Sequence, residues 1–298
     1  MTKRILLTGA DGQLGSELRQ RVAMMTAAYT LHATDQAELD IADPAQIEAA
    51  IQDFAPDVLI NAAAYTAVDQ AESQRELAFK VNAEGPANLA KAAQQAGIRM
   101  IHVSTDYVFN GQQCRPWKTD DPVAPINVYG ESKLAGEQAV QRYLPDAVII
   151  RTAWVYSRYG QNFVKTMIRL MNERDSLGII ADQIGSPTHA GRLAEILLSA
   201  VDQPEFTGIS HWTDAGVASW YDFAQSIYTL GRERGLVQHD CQINPITTSD
   251  YPTPAQRPAF SVMDCQRSRA QLGHARHWRE QLQMMLDELK TDYDGANA

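Results

Sequence analysis

The chain has 298 residues, with 36 acidic side chains against 26 Lys and Arg, for a formal net charge of −10 at pH 7. That length can bury one large core or two joined ones, and 45% hydrophobic with 21% charged residues excludes a disordered polymer. The acidic balance argues against general nucleic-acid binding, which needs a basic footprint; an anionic small ligand needs only a few local cations or a helix N-terminus.

Lys3-Arg4 followed by Ile5-Leu6-Leu7 imitates the start of a secretory leader, but the apolar run stops at Thr8-Gly9, too short for an h-region. No run approaches the ~20 apolar residues of a membrane span. Cys114, Cys241 and Cys265 lie far apart with no CxxC, and His274 and His277 have no third ligand near in sequence, so both histidines are read as surface residues. A cytoplasmic protein is expected, with no nucleic-acid or membrane partner.

"RILLTG" (4–9) predicts a strand running into a glycine turn, and "YTLHATD" (29–35) a second strand. Asp43 then caps a helix opened by Pro44, which lacks only a hydrogen that would be orphaned there. Ile47, Ala50, Ile51 and Phe54 give that helix one apolar face. "DVLINAAA" (57–64) is a third strand, nearly all apolar, as expected where both faces of a parallel sheet are covered. A helical region follows to about Gln95 and is stopped by Gly97. "RMIHVS" (99–104) makes a fourth strand, a helix runs from about Val128 to Tyr143, and "DAVIIRTAWVY" (146–156) is a fifth strand. This alternation predicts an α/β fold of the Rossmann type, a doubly wound parallel sheet. Beyond residue 157, helices are expected over 161–175, 189–201, 219–234 and 277–290. Loops such as "NPITTSDYPTPAQRP" (244–258) separate them. A smaller C-terminal substrate-binding lobe follows from this looser pattern, mixed with the last elements of the sheet.

"TGADGQLGSEL" (8–18) sets Gly9, Gly12 and Gly15 between a strand and a helix, where a dinucleotide pyrophosphate needs a tight turn and close backbone approach. Asp35, twenty residues past Gly15, can bind a ribose 2′-hydroxyl and repels a 2′-phosphate, which favours NADH. Residues 1–156 are therefore expected to form an NAD(P)-binding domain to which later segments return, and 157–298 mainly the substrate lobe.

"HVSTDYVFNG" (102–111) closes the fourth strand with turn-forming Ser104, Thr105 and Asp106. In "NVYGESKLAGE" (127–137), Tyr129 and Lys133 share one helix face, and no other tyrosine in the chain has a lysine four residues on. A tyrosine with pKa ~10 is a poor acid–base group at neutral pH. A nearby ammonium and an oxidised nicotinamide would lower that value.

These segments resemble the extended branch of the short-chain dehydrogenase/reductase superfamily: G-x-x-G-x-x-G, "NAAA" (61–64), and Thr105 twenty-four residues before Tyr129. "STDYVF", "NVYGESKLAGE", "RTAWVY" (151–156), "DQIGSPT" (182–188) and "YPTPAQRP" (251–258) resemble the dTDP-4-dehydrorhamnose reductase family within it, over nearly the whole chain. Tyr107 stands where related dehydratases carry the glutamate used in water elimination.

The resemblance implies NADPH- or NADH-dependent reduction of the 4-keto group of dTDP-4-dehydro-L-rhamnose to dTDP-L-rhamnose, a surface-polysaccharide precursor. It implies Thr105 binding the carbonyl, Tyr129 donating the proton, and Lys133 lowering its pKa and holding the ribose. Cofactor contacts are expected from Gly9, Gly12, Gln13, Leu14, Gly15, Asp35, Asp40, Ile41, Ala62, Ala63, Ala64 and Tyr65, with Tyr129 and Lys133. Substrate contacts are expected from Thr66, Val68, Thr105, Asp106, Val108, Tyr129, Trp154 and Asn162. Arg257 is assigned to the pyrophosphate. The resemblance also suggests a homodimer, and Mg²⁺ held by glutamates at a dimer contact. Glu17 and Glu288 match two of these, but the third position is Gly191. A reductase or epimerase of another nucleotide sugar, or a non-catalytic NADP-binding regulatory subunit, remain the alternatives.

Overall fold

The computed structural model describes residues 2–296. Five strands come from the first half: β1 (Lys3–Thr8), β2 (Tyr29–Thr34), β3 (Val58–Asn61), β4 (Arg99–Thr105) and β5 (Val148–Thr152). A sixth, β6 (Gly208–His211), joins from the second half, and the sheet order is β2-β1-β3-β4-β5-β6 with every pair parallel. All residues of β3 and β5 are buried, the consequence of helices on both faces. On one face, α1 (Gln13–Met24) and α6 (Ala190–Val201) pack Leu18, Val22, Leu193 and Leu197 onto Ile5, Leu7 and Ile60. On the other, α2 (Pro44–Phe54), α3 (Gly85–Ala96) and α4 (Val128–Tyr143) pack Ile47, Leu89 and Val140 onto Leu6, Leu59 and Met100.

A second core lies outside the sheet. It gathers α5 (Phe163–Glu173), α7 (Trp220–Glu233) and α8 (Trp278–Ala296) around Met171, Phe223, Ile227, Leu282 and Leu286. Against these helices lies a parallel pair of strands, Ser176–Ile180 and Gln242–Ile246.

Local chemistry accounts for most of the elements. Asp43 caps α2 as expected, accepting from the Ala45 and Gln46 N–H groups with Pro44 at the start. Four readings need correction. β6 arises in a stretch expected to be loop. Asn244–Ile246, also expected to be loop, belong to a strand, and Pro245 is tolerated because that two-stranded pair is all edge. The fifth strand ends at Thr152, because Trp154 turns the chain with φ 49° before Val155–Tyr156 pairs with Thr188–His189. The helical region before Gly97 is broken into Val68–Ala71, Arg75–Phe79, a π turn at Lys80–Glu84, and α3. Pro86 supplies the reason: it has no N–H for the Asn82 carbonyl. That carbonyl instead faces Gly136 of α4, where a Cβ would overlap it.

No helix among the described residues is long and apolar enough to cross a membrane. Cys241 and Cys265 are buried, Cys114 is exposed, and all three are free thiols.

Candidate active site

The carboxyl ends of β1, β2 and β3 open onto a cavity of about 370 Å³ lined by Gly9, Gly12, Asp35, Asp40, Ile41, Ala62, Ala63 and Ala64, with Asp11, Gln36, Leu39 and Val81. Gly9 has φ 75°, and a Cβ there would lie 2.5 Å from the Ala63 nitrogen. A Cβ on Gly15 would overlap the Gly9 carbonyl, so the strand, turn and helix close only without side chains there. Gly12 is different: its Cβ would meet only the Gly9 oxygen, at 3.4 Å. It is the N-cap of α1 and no side chain caps that helix, so the first-turn N–H groups are left for an anion. These features fit a dinucleotide pyrophosphate. Leu14 packs its side chain in the core, which leaves its backbone N–H as the group that can serve a cofactor. Asp35 accepts from the Asp11 N–H at 2.9 Å, and Glu38 accepts from the Asp35 N–H at 3.0 Å. Carboxylates therefore crowd this rim, and the one guanidinium paired with Asp11, Arg19, is mostly exposed. Tyr65 is held by Asn82, which bonds both its N–H (2.8 Å) and its carbonyl (3.0 Å). Asn82 also donates to Ser132 on α4, at 3.0 Å.

β4 and α4 bring Thr105, Tyr129 and Lys133 together. The start of α4 is fixed three ways: Asn127 accepts from Gly130 N–H (2.8 Å), Glu72 accepts from Val128 N–H (2.9 Å), and Asn127 donates to the Gln256 carbonyl (2.7 Å). Thr105 Oγ1 accepts from Tyr107 N–H at 3.2 Å and donates to Asp106 Oδ1 at 3.0 Å. Burial lifts the Asp106 carboxyl to about 6, against the pull of the Ser261 and Thr105 hydroxyls. Burial also pushes Tyr129 up to about 12, opposed by the Thr105 hydroxyl. Lys133, expected to lower this phenol together with an oxidised nicotinamide, is not among the groups that act on it here. Its ammonium donates to the Val103 carbonyl at 2.8 Å. Lys133 is itself brought down to about 8 by burial, with Glu137 opposing. At about 12 the Tyr129 phenol stays protonated but is a weaker acid than a free tyrosine, so giving up its proton calls for positive charge close by.

The other expected substrate positions are scattered around this centre. Val108 is fully buried against Phe109 and Trp117, so only its backbone can face a ligand. Thr66 is exposed, and Val68 begins a helical turn. Trp154 stacks on Trp220, with centroids 3.6 Å apart, and bridges two apolar clusters. Asn162 caps α5 through Lys165 N–H at 3.2 Å and donates to Gln13 of the glycine turn at 3.0 Å. Arg257 forms an ion pair with Asp69, Nη2 to Oδ2, at 2.7 Å. His274 and His277 are exposed, as expected.

Asp69, Tyr107, Asn82 and Trp220 were not among the expected contacts. Tyr107 packs edge-on against Tyr129, with centroids 5.5 Å apart, and its phenol lies in the fields of Arg257 and Asp69. Asp69 falls in "AYTAVDQAE" (64–72) beside Thr66 and Val68, a signal that could have suggested it; its partner Arg257 is too distant in sequence for any pattern to pair them.

The expected magnesium ligands converge only in part. Donor atoms of Glu17, His189 and Glu288 lie within 4.8 Å of one another. However, Glu17 Oε2 accepts from Arg21 at 2.5 Å, and Oε1 accepts from Ser157 at 2.6 Å. Mg²⁺ demands near-octahedral oxygen ligands. A donor set with one imidazole and a guanidinium already on its first carboxylate does not fit that ion.

Residues 3–291 match the family described as RmlD substrate binding domain. The dTDP-4-dehydrorhamnose reductase of Escherichia coli K12 is 40% identical over 294 residues, covering 96% of this chain and 98% of that protein. The crystal structure of a dTDP-4-dehydrorhamnose reductase from Clostridium acetobutylicum superposes with a TM-score of 0.90 at 40% identity, over 96% of this chain and 99% of that one. The Bacillus anthracis dTDP-4-dehydrorhamnose reductase, solved in complex with NADP, gives a TM-score of 0.91 at 36% identity, over 97% and 100%. With its parallel sheet, glycine turn and Tyr-x-x-x-Lys helix, the chain belongs to the RmlD substrate binding domain family.

Proposed function

We propose that this chain reduces the 4-keto group of dTDP-4-dehydro-L-rhamnose to give dTDP-L-rhamnose, acting in the cytoplasm with NADPH or NADH. The observation that carries this reading is the meeting of Thr105, Tyr129 and Lys133 at the end of β4, the strand next to β3, whose following residues Ala62–Ala64 line the glycine-turn cavity. Residues 1–156, with the returning segment through α6 and β6, hold the cofactor, and 157–298 mainly hold the sugar nucleotide. The nicotinamide supplies a hydride when bound. Tyr129, protonated over the whole neutral range, donates its proton to the C4 oxygen. The Thr105 hydroxyl, whose hydrogen points at Asp106 in the resting site, turns to the same oxygen and orients it. Lys133 holds the nicotinamide ribose, and its ammonium offsets the negative charge left on the phenol. Asp106, Trp154, Asn162, Thr66, Val68 and the Val108 backbone face the sugar nucleotide, and Arg257 its pyrophosphate.

The test is NADPH or NADH oxidation followed at 340 nm, with the keto-sugar generated in situ by an upstream epimerase. Turnover is expected. Failure with both cofactors would leave the chain as a nucleotide-binding regulator, and turnover of another nucleotide sugar would revise the substrate.

A further inference from the structure

We infer that Arg21 is the resident cation of a carboxylate cluster built on the buried Glu17, so that this chain closes without metal a site its relatives' pattern would assign to Mg²⁺. The cluster lies where the end of α1, the start of α6, the Ser157–Arg158 turn and α8 meet. Glu17 is 1% exposed and cannot reach solvent. Its two oxygens are taken by Arg21 Nη1 at 2.5 Å and by the Ser157 hydroxyl at 2.6 Å. The Nε of the same guanidinium faces Glu195 at 3.4 Å, so one arginine serves two carboxylates. Arg158 lies 4.0 Å from Glu288, whose carboxyl feels both Arg158 and Arg21.

Gly191 shows why a metal and this arginine exclude each other. A Cβ built there would overlap the Arg21 guanidinium and lie 2.7 Å from Cε1 of His189. A carboxylate side chain at 191 could enter only by displacing Arg21. The absent side chain and the present guanidinium are therefore two halves of one arrangement. A third acid is missing, and a fixed positive charge fills its place. His189 Nε2 and Glu288 Oε2 remain buried without a hydrogen-bond partner. With the guanidinium removed, these two atoms and Glu17 become a ready set of metal donors. A divalent ion cannot join the set while Arg21 stays, because like charges would sit in contact at the Glu17 carboxylate, which is itself buried.

The inference does not rest on the reductase reading, and its test reads metal binding and melting rather than turnover. The full-length protein is melted with millimolar Mg²⁺ and with EDTA, and Mn²⁺ binding is followed by electron paramagnetic resonance. Wild type is expected to melt at the same temperature in both and to leave Mn²⁺ free. Arg21→Gln is expected to melt several degrees lower in EDTA, and to recover with Mn²⁺ while binding about one equivalent. Gly191→Glu, which adds the third acid and displaces the guanidinium, is expected to gain the same metal dependence. It carries the test should Arg21→Gln not fold. Stoichiometric Mn²⁺ binding or Mg²⁺ stabilisation of wild type would overturn the inference. So would a folded variant that gains no metal dependence.

Discussion

Asp69 and Arg257 stand 188 residues apart and meet in a two-pronged ion pair, Nη1 to Oδ1 at 3.0 Å and Nη2 to Oδ2 at 2.7 Å. The Ala255 N–H adds a third bond to Asp69, at 3.2 Å, so the 253–257 loop is tied to the segment that follows β3. Nη1 also donates to Thr253 Oγ1 at 2.6 Å and to the Ala255 carbonyl at 3.0 Å, so the proposed pyrophosphate contact falls to Nε and the second Nη2 hydrogen. Arg257→Ala should raise KM for the nucleotide sugar at least several-fold and leave KM for the cofactor unchanged. Asp69→Asn should act in the same direction and less strongly, because the carboxylate only orients the guanidinium. The pair is partly exposed, and such pairs contribute about 0–1 kcal/mol, so both variants should fold. Steady-state kinetics with each substrate varied decides the matter; an unchanged sugar KM in Arg257→Ala removes that residue from the site.

Tyr129→Phe removes the hydroxyl proposed to give its proton to the keto oxygen. General acid catalysis by one side chain is worth about 10²–10⁴-fold, and kcat should fall by that order with no change in melting temperature. Near-wild-type turnover in a folded variant would end the assignment.

Lys133 is expected to set the alkaline limb of the rate. An amine whose pKa is depressed to about 8 carries its charge below that pH and loses it above. If the ammonium is needed, kcat/KM is level below pH 8 and falls as pH rises through it. Lys133→Arg should move the fall to higher pH, since a guanidinium does not deprotonate in that range. A limb unmoved by that substitution would assign the titration to another group.

Cofactor choice is expected to follow the carboxylate rim. Asp35 and Asp11 both line the cavity and Glu38 bonds the Asp35 N–H, so a ribose bound by Asp35 would bring a 2′-phosphate against carboxylates. Purified protein should therefore use NADH with kcat/KM at least equal to that for NADPH. Asp35→Ala should shift the ratio toward NADPH by about tenfold, a change of about 1.4 kcal/mol. A strong NADPH preference in wild type would contradict this.

The buried Arg151–Glu137 pair bears chiefly on stability. Its side chains are 3% and 1% exposed, held by two bonds of 2.9 and 2.7 Å. Removing one partner strands the other charge, and losses of about 3–5 kcal/mol are usual. Glu137→Ala should lose that much in a urea titration.

Much of the frame was legible in the sequence because it depends on neighbours along the chain. The Asp43-Pro44 cap, the apolar periodicity of α2, the Gly9–Gly15 turn and the single Tyr-x-x-x-Lys pair are each local, and local geometry follows from the residues at hand. Helix α4 runs over Val128–Tyr143, as expected. Of the fourteen residues expected at the cofactor, eight line one cavity, since the carboxyl edge of a parallel sheet gathers loops that the strand pattern already orders; Gln13, Leu14, Gly15, Tyr65, Tyr129 and Lys133 do not line it.

What the tertiary structure alone decided depends on distant partners. β6 is a strand because β5 offers it an open edge, not because its four residues announce one. Trp154 takes a left-handed turn where the chain leaves the sheet, and Val108 faces inward, since the packing of neighbouring elements sets both. The meeting of Arg257 with Asp69, and of Arg21 with Glu17 beside Gly191, arises only when remote segments fold together. A charge shows its sign in the sequence; which opposite charge it meets, and how much water lies between them, is set by the folded chain.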